Sequence, residues 1–221
     1  MGASIRLCAF RWVPPFAQGL ARDFRVRWAL EEAGIPYEDR LIGREDLASE
    51  SYRALQPFGQ IPAIEDDGFP MFESGAIVLY IAEQSEALMP LDPKARARVT
   101  VWAFAALNSI EPRVNALADI DLFHANEEWA KLRRPAVEQA AKARLTLLAA
   151  RFNGRDYLEG RFTAADVLMT TVLRALRHTD MLTQIPPLED YRLRCEARPA
   201  FQKAMARHMA PFAGHAPAAV N

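Results

Sequence analysis

Every strand signal in this 221-residue chain falls before residue 85, and after residue 94 the apolar periodicity is helical throughout. That asymmetry confines the fold to a small mixed α/β unit followed by an all-helical one. In the first part, residues 61–64 and 69–72 flank Asp66-Asp67-Gly68, and an Asp-Gly turn between two apolar runs is a strong short-range hairpin signal. Ahead of it, residues 5–10 read as a buried strand. Val26, Ala29, Leu30 and Ala33 then recur at helical spacing behind an acidic Asp23, and Gly34 and Pro36 stop that helix. Residues 37–42 read as a second strand, Tyr52 and Leu55 as a further helical turn, and Ile77, Tyr80 and Ile81 as a helix from Ser74 to about Gln84. The expected order is βαβαββα.

Residues 88–93, Leu-Met-Pro-Leu-Asp-Pro, read as a linker. Beyond it, Val99, Trp102, Ala103, Ala106 and Ile110 form one helical face, and Val137, Ala141, Leu145, Leu148 and Phe152 form another. Leu168, Val172, Ala175 and Leu176 form a third, which opens at Thr163-Ala-Ala-Asp166, a capping-box pattern. Two shorter helices are expected over 188–195 and 199–209. The resulting division is an α/β domain over 1–85, a linker over 86–94, an all-helical domain over 95–210 and a loosely held Ala/Pro/Gly-rich tail over 211–221.

Composition removes several function classes. Lys plus Arg number 27 against 28 Asp plus Glu, so the net charge is −1 and there is no basic footprint for nucleic acid or an anionic membrane. A chain that is 51% hydrophobic and 25% charged is not of disordered type, and no run approaches the roughly 20 apolar residues of a membrane span. The two cysteines, Cys8 and Cys195, and the four histidines lack ligand spacing, so no metal is expected. A reducing cytoplasm is the expected setting.

Four segments carry a resemblance. They are Arg25-Val-Arg-Trp-Ala-Leu-Glu-Glu-Ala-Gly-Ile-Pro-Tyr-Glu38, Gln56-Pro-Phe-Gly-Gln-Ile-Pro-Ala-Ile64, Asp67-Gly-Phe-Pro-Met-Phe-Glu-Ser-Gly-Ala-Ile77 and Thr163–Asp166. In this order they resemble the first helix and second strand, the Asn-Pro-x-Gly-x-Val-Pro loop, the hairpin with its Glu-Ser corner, and the interior capping box of the glutathione transferase superfamily. The resemblance implies a thioredoxin-like N-terminal domain that binds glutathione and a helical-bundle C-terminal domain that helps to form a pocket for an apolar second substrate. It also implies a cis Pro62 presenting the backbone of Ile61, a contact from Gln60 to the glycyl carboxylate or the backbone of glutathione, and Glu73 and Ser74 at the γ-glutamyl end. A homodimer is implied in the same way.

The chain departs from the family pattern at two places. Gly75 follows Glu-Ser where many relatives carry Arg, and Leu20 stands where many carry the Ser or Cys that activates the thiol; Phe10 and Trp12 stand where others carry Tyr. Lowering a thiol pKa of about 8.5 by about two units takes roughly 2.7 kcal/mol of thiolate stabilisation. Arg22 in that turn is the first candidate, with Gln18 and Arg11 next; backbone N–H groups around residues 20–22 and the helix dipole are expected to add to it. The ten-residue loop 11–20 exceeds usual βα connections, and its Trp12, with Phe104 and Asn108 one turn apart on the first C-terminal helix, are candidates for the second-substrate wall. Cys8, inside the first strand, reads as an inert thiol.

The expected activity is a glutathione transferase that binds reduced glutathione as co-substrate, stabilises its thiolate and conjugates it to a small apolar electrophile, as in detoxification. Two alternatives stay open: a glutathione-dependent disulfide reductase or peroxidase, and a non-catalytic binding or regulatory member.

Overall fold

The computed structural model describes residues 5–216. The chain divides into two compact units, residues 1–88 together with 198–221, and residues 89–197.

The first unit is built on a four-stranded sheet. Strand β1 (Ile5–Phe10) is followed by α1 (Asp23–Ala33), β2 (Tyr37–Ile42), α2 (Glu50–Arg53), β3 (Ala63–Asp66), β4 (Phe69–Phe72) and α3 (Ser74–Ala82). The strand order is β2-β1-β3-β4; β1 and β2 run parallel, and the β1–β3 and β3–β4 pairs are antiparallel. This is the expected thioredoxin-like arrangement. The hairpin is closed by Asp67 and Gly68, whose φ angles of 47° and 82° are both positive, as a two-residue turn matched to strand twist requires. Helix α1 ends where Gly34 turns left-handed at φ 69° and donates its N–H back to Glu31 and Leu30. Strand β4 lies at the sheet edge, and its Phe69 and Phe72 are exposed although the run is apolar.

Two further helices complete this unit: α9 (Pro199–Met209) and α10 (Phe212–His215). From sequence, residues 199–209 group with the helical domain and a loosely held tail is expected from 211. Instead Phe201 packs edge-on against Phe24 and Trp28 of α1, with ring centroids 5.2 and 5.0 Å apart, and Arg198 holds Glu32 with two bonds of 2.6 and 2.7 Å. Phe212 is buried beneath the His208 ring. The remaining tail residues, 217–221, lie outside the described residues. Local periodicity shows that a helix has an apolar face but not which surface that face will cover, which is why the grouping differs.

The second unit comprises α4 (Pro93–Phe104), α5 (Glu111–Phe123), α6 (Glu128–Ala149), α7 (Ala164–Leu173) and α8 (Pro186–Glu196). Helix α7 is buried along nearly its whole length and forms the core of the unit. Between α4 and α5, residues Ala105–Ile110 widen into a π-helical turn where the sequence suggested one uninterrupted stripe. Pro112 accounts for it: the residue has no N–H for the Asn108 carbonyl and its ring crowds that oxygen, so the ladder must widen. Among the described residues no helix is long and apolar enough to cross a membrane, and no cluster of His, Cys, Asp or Glu is placed to hold a metal.

Candidate functional site

Within the first unit, the strand ends and helix starts converge on a cleft lined by Arg22, Gln56, Gln60, Ile61, Pro62, Glu73 and Ser74. An adjoining cleft of about 360 Å³ shares Arg22, Gln60 and Ile61 and adds Phe10, Arg44 and Leu47. That volume is in the range of small-ligand sites, about 300–1,000 Å³.

The floor is set by the turn between α2 and β3. Cys8, Ile42, Tyr52 and Ala63 are packed together, with Leu47, Leu55 and Ile61 against them. The Tyr52 hydroxyl donates to the Gln60 carbonyl at 2.6 Å, and the buried Gln56 side chain accepts the Phe58 N–H at 2.7 Å. Gly59 is required here: its φ is +62°, and a Cβ would stand 2.8 Å from the Leu47 carbonyl oxygen. The Ile61–Pro62 peptide is cis, as expected from the loop motif.

The opposite wall is the corner between β4 and α3. Glu73 has φ 68° and ψ 107°, a sparsely populated conformation for a non-glycine residue that costs on the order of 1–3 kcal/mol. It turns the chain so that Ser74 opens α3, with no side chain capping that helix. The first N–H groups of a helix have no intrahelical partner and carry partial positive charge, so this corner suits an anion. Ser74 is buried, and its Oγ accepts from Arg25 NH1 of α1 at 3.3 Å.

All of the expected glutathione-contact positions, Gln60, Ile61, Pro62, Glu73 and Ser74, therefore line one cleft. The three candidates for thiol activation do not stay together. Arg22, at the N-cap of α1, lines both clefts. Arg11 is instead paired with Glu45 and Asp46, the latter at 3.1 Å, and Gln18 donates to the Val13 carbonyl at 3.1 Å inside the loop; neither lines the clefts described. The backbone donors expected nearby are also reduced, because the N–H groups of Leu20 and Ala21 both go to the Ala17 carbonyl, at 2.9 and 3.1 Å. Cys8 is fully buried, and burial pushes its thiol up to about 11, which keeps it protonated.

Trp12 is half-buried in the loop, and Phe104 and Asn108 are exposed on the second unit. Sequence reasoning missed Gln56, Arg44 and Arg25. Gln56 opens the quoted Gln56–Ile64 segment without being read there as a contact, and Arg44 stands outside every quoted segment; both line the clefts. Arg25 heads the quoted Arg25–Glu38 segment, but nothing in that pattern marks it as a contact; in the structure it is one of three charged residues, with Asp23 and Arg27, in a helix stretch buried from Asp23 to Leu30.

The family model for the N-terminal domain of glutathione S-transferase matches residues 17–83. Glutathione S-transferase A1 of Mus musculus is 30% identical over 188 residues, covering 80% of each chain. A probable glutathione S-transferase, GSTF2, of Oryza sativa is 30% identical over 185 residues, covering 79% of this chain and 86% of the relative. Among solved structures, a glutathione transferase family member from Pseudomonas fluorescens, described with two glutathione bound, matches with a TM-score of 0.80 at 25% identity over 92% of both chains. Fold, cleft and sequence relationship agree on a class of protein: a thioredoxin-like unit with an anion-receptive corner, joined to a helical unit. The chain belongs to the glutathione S-transferase superfamily.

Proposed function

We propose that the protein binds reduced glutathione in the cleft of the first unit and transfers it, as the thiolate, to an apolar electrophile. The observation that supports this most is the convergence of Gln60, Ile61, Pro62, Glu73 and Ser74 on one cleft that also receives Arg22. In this reading the corner at Ser74 takes the γ-glutamyl carboxylate, the Glu73 carboxylate takes the ammonium, and the Ile61 backbone pairs with the cysteinyl part. Gln60, with Arg44 in the adjoining cleft, takes the glycyl carboxylate. With Leu20 lacking a hydroxyl, the Arg22 guanidinium is the charge that stabilises the thiolate. The thiolate sulfur attacks the electrophilic carbon, and the leaving group departs with the electron pair. The protein is proposed to work in the cytoplasm as a homodimer; Phe58, 68% exposed and edge-on to exposed Phe72 at 6.0 Å, supplies an apolar surface for a second copy.

One observation favours a second acceptor class. The Pseudomonas fluorescens relative is described with two glutathione bound, and a disulfide acceptor would meet the same thiolate with sulfur in place of carbon. Calorimetric titration of reduced glutathione into wild type and Ser74→Ala, with conjugation, disulfide and hydroperoxide assays on the same samples, tests all of this. Binding that Ser74→Ala weakens, with turnover of a carbon electrophile, supports the transferase. Turnover of disulfide or peroxide alone supports the second reading. Binding with no turnover identifies a binding or regulatory member, and absence of binding removes the glutathione reading.

A further inference from the structure

Helix α1 buries three charged side chains: Asp23 at 1% exposure, Arg25 at 5% and Arg27 at 1%. Two of them tie α1 to neighbouring elements away from the cleft. Arg27 donates Nε to Asp23 Oδ2 at 3.3 Å and pairs through NH1 with Asp39 at 2.7 Å, tying α1 to β2. Asp23 also receives Nδ1 of His208 at 3.0 Å, while His208 Nε2 accepts the Gly19 N–H at 3.1 Å, so this group ties α9 to the loop. Arg25 reaches in a different direction, to Ser74 at the cleft.

The chemistry of that bond assigns its sense. A guanidinium has only donors, so the Ser74 oxygen must be the acceptor. One lone pair of Oγ is then committed to Arg25, and the hydroxyl hydrogen is left to donate elsewhere. Ser74 lines the cleft beside Glu73 and Gln56, at the start of the nine-residue helix α3. A hydroxyl donor, a helix N-terminus and a desolvated guanidinium behind them together make a receptor for a carboxylate. The Glu73 carboxylate at the same corner adds the complementary charge for an ammonium. The pair matches an α-amino-carboxylate, the unit at the γ-glutamyl end of glutathione.

We infer that Arg25 is a positioning residue of this subsite: it holds the Ser74 oxygen as acceptor so that the hydroxyl donates to the ligand's α-carboxylate, and it supplies the positive charge behind that contact. The inference rests on the glutathione reading above and goes beyond it, because it makes ligand choice at this corner depend on a buried residue outside the lining. Arg25 also stands in a chain whose Gly75 leaves no guanidinium on the residue after Ser74.

The test is a titration series on the full chain with two probes, reduced glutathione and glutathione whose γ-glutamyl α-carboxylate is converted to the amide. Wild type is expected to bind glutathione at least tenfold more tightly than the amide. Arg25→Met should lose about tenfold in glutathione affinity and most of that discrimination. Arg25→Lys, which keeps a cation and a donor, should recover part of both. In a double-mutant cycle, Arg25→Met on top of Ser74→Ala should cost less than about twofold more, because the two residues act as one contact. Additive losses, or a loss in Arg25→Met that follows its melting temperature with discrimination intact, would make Arg25 a packing residue and overturn the inference. If Arg25→Met does not fold, wild type and Arg25→Lys decide: wild type that fails to separate acid from amide, or a Lys variant no better than Ser74→Ala, also overturns it. Wild type that binds neither probe overturns the glutathione reading itself, whereas wild type that binds both equally overturns only the role of Arg25.

Discussion

At the N-terminus of α7, Asp166 accepts the Thr163 N–H at 2.9 Å, the Thr163 hydroxyl at 3.0 Å, the Leu158 N–H at 3.0 Å and the Tyr191 hydroxyl at 2.9 Å, all without access to solvent. At the N-terminus of α3 no side chain caps the helix, and the Ser74 oxygen is held from behind by Arg25 at the edge of a cleft. Each terminus carries the same partial positive charge and the same need for acceptors. One meets that need within the chain and contributes stability; the other, in the proposed reading, leaves it for a ligand.

Breaking the closed terminus should have the largest effect. Asp166→Ala strands two backbone N–H groups and two hydroxyls in the core and is expected to cost roughly 3 kcal/mol or more of unfolding free energy. Glutathione affinity of the remaining folded protein should be unchanged, as denaturant titration and calorimetry on the same preparation would show. The reciprocal variant, Ser74→Ala, should weaken glutathione by about 10- to 100-fold, the value of a hydrogen bond to a charged group, while stability falls by no more than about 1 kcal/mol. A variant of either residue that moved both quantities equally would erase the distinction between the termini.

Arg22→Ala should lower kcat by about tenfold with little change in glutathione affinity, because its proposed role is to favour the thiolate. Ultraviolet titration of the bound thiol should show its pKa moved upward by about one unit.

A further effect is one of pH. Burial pushes the Asp166 carboxyl up to about 6 against the four bonds that favour its charged form. A folded-state pKa above the unfolded value binds extra protons in the native state, so this contribution to stability is complete below about 4 and is lost as pH rises through about 6. The melting-temperature gap between wild type and Asp166→Asn should therefore narrow over that interval and stay level above it. A gap that widens with pH would mean that the four bonds outweigh burial.

The two termini were not equally legible in the amino-acid sequence. Thr163 and Asp166 stand three residues apart and satisfy each other, so spacing alone announces the closed cap. The hairpin at Asp67-Gly68 and the stop at Gly34 were legible for the same reason: each is decided by backbone conformations of adjacent residues. At the open corner, Glu73 and Ser74 were recognisable only as part of a family motif, and the strained φ of Glu73 could not be read from its side chain. Arg25, Arg44 and Gln56 reach the site from α1 and the turns before and after α2, at sequence distances that periodicity does not relate. The grouping of α9 with the first unit has a similar cause, since Phe201 and His208 meet Phe24, Trp28 and Asp23 across more than 170 residues. The divergent fates of Arg22, Arg11 and Gln18 were decided by acceptors, Glu45, Asp46 and the Val13 carbonyl, that only the fold brings near.

The most direct test of the distinction between a closed and an open helix terminus is an amide chemical-shift titration of the wild-type chain with reduced glutathione. The account predicts saturable shifts at Gln60, Ile61, Glu73, Ser74 and Gly75, with the amides of Thr163 to Asp166 unmoved. No saturable shift at the α3 corner, or shifts confined to residues 89–197, would contradict it.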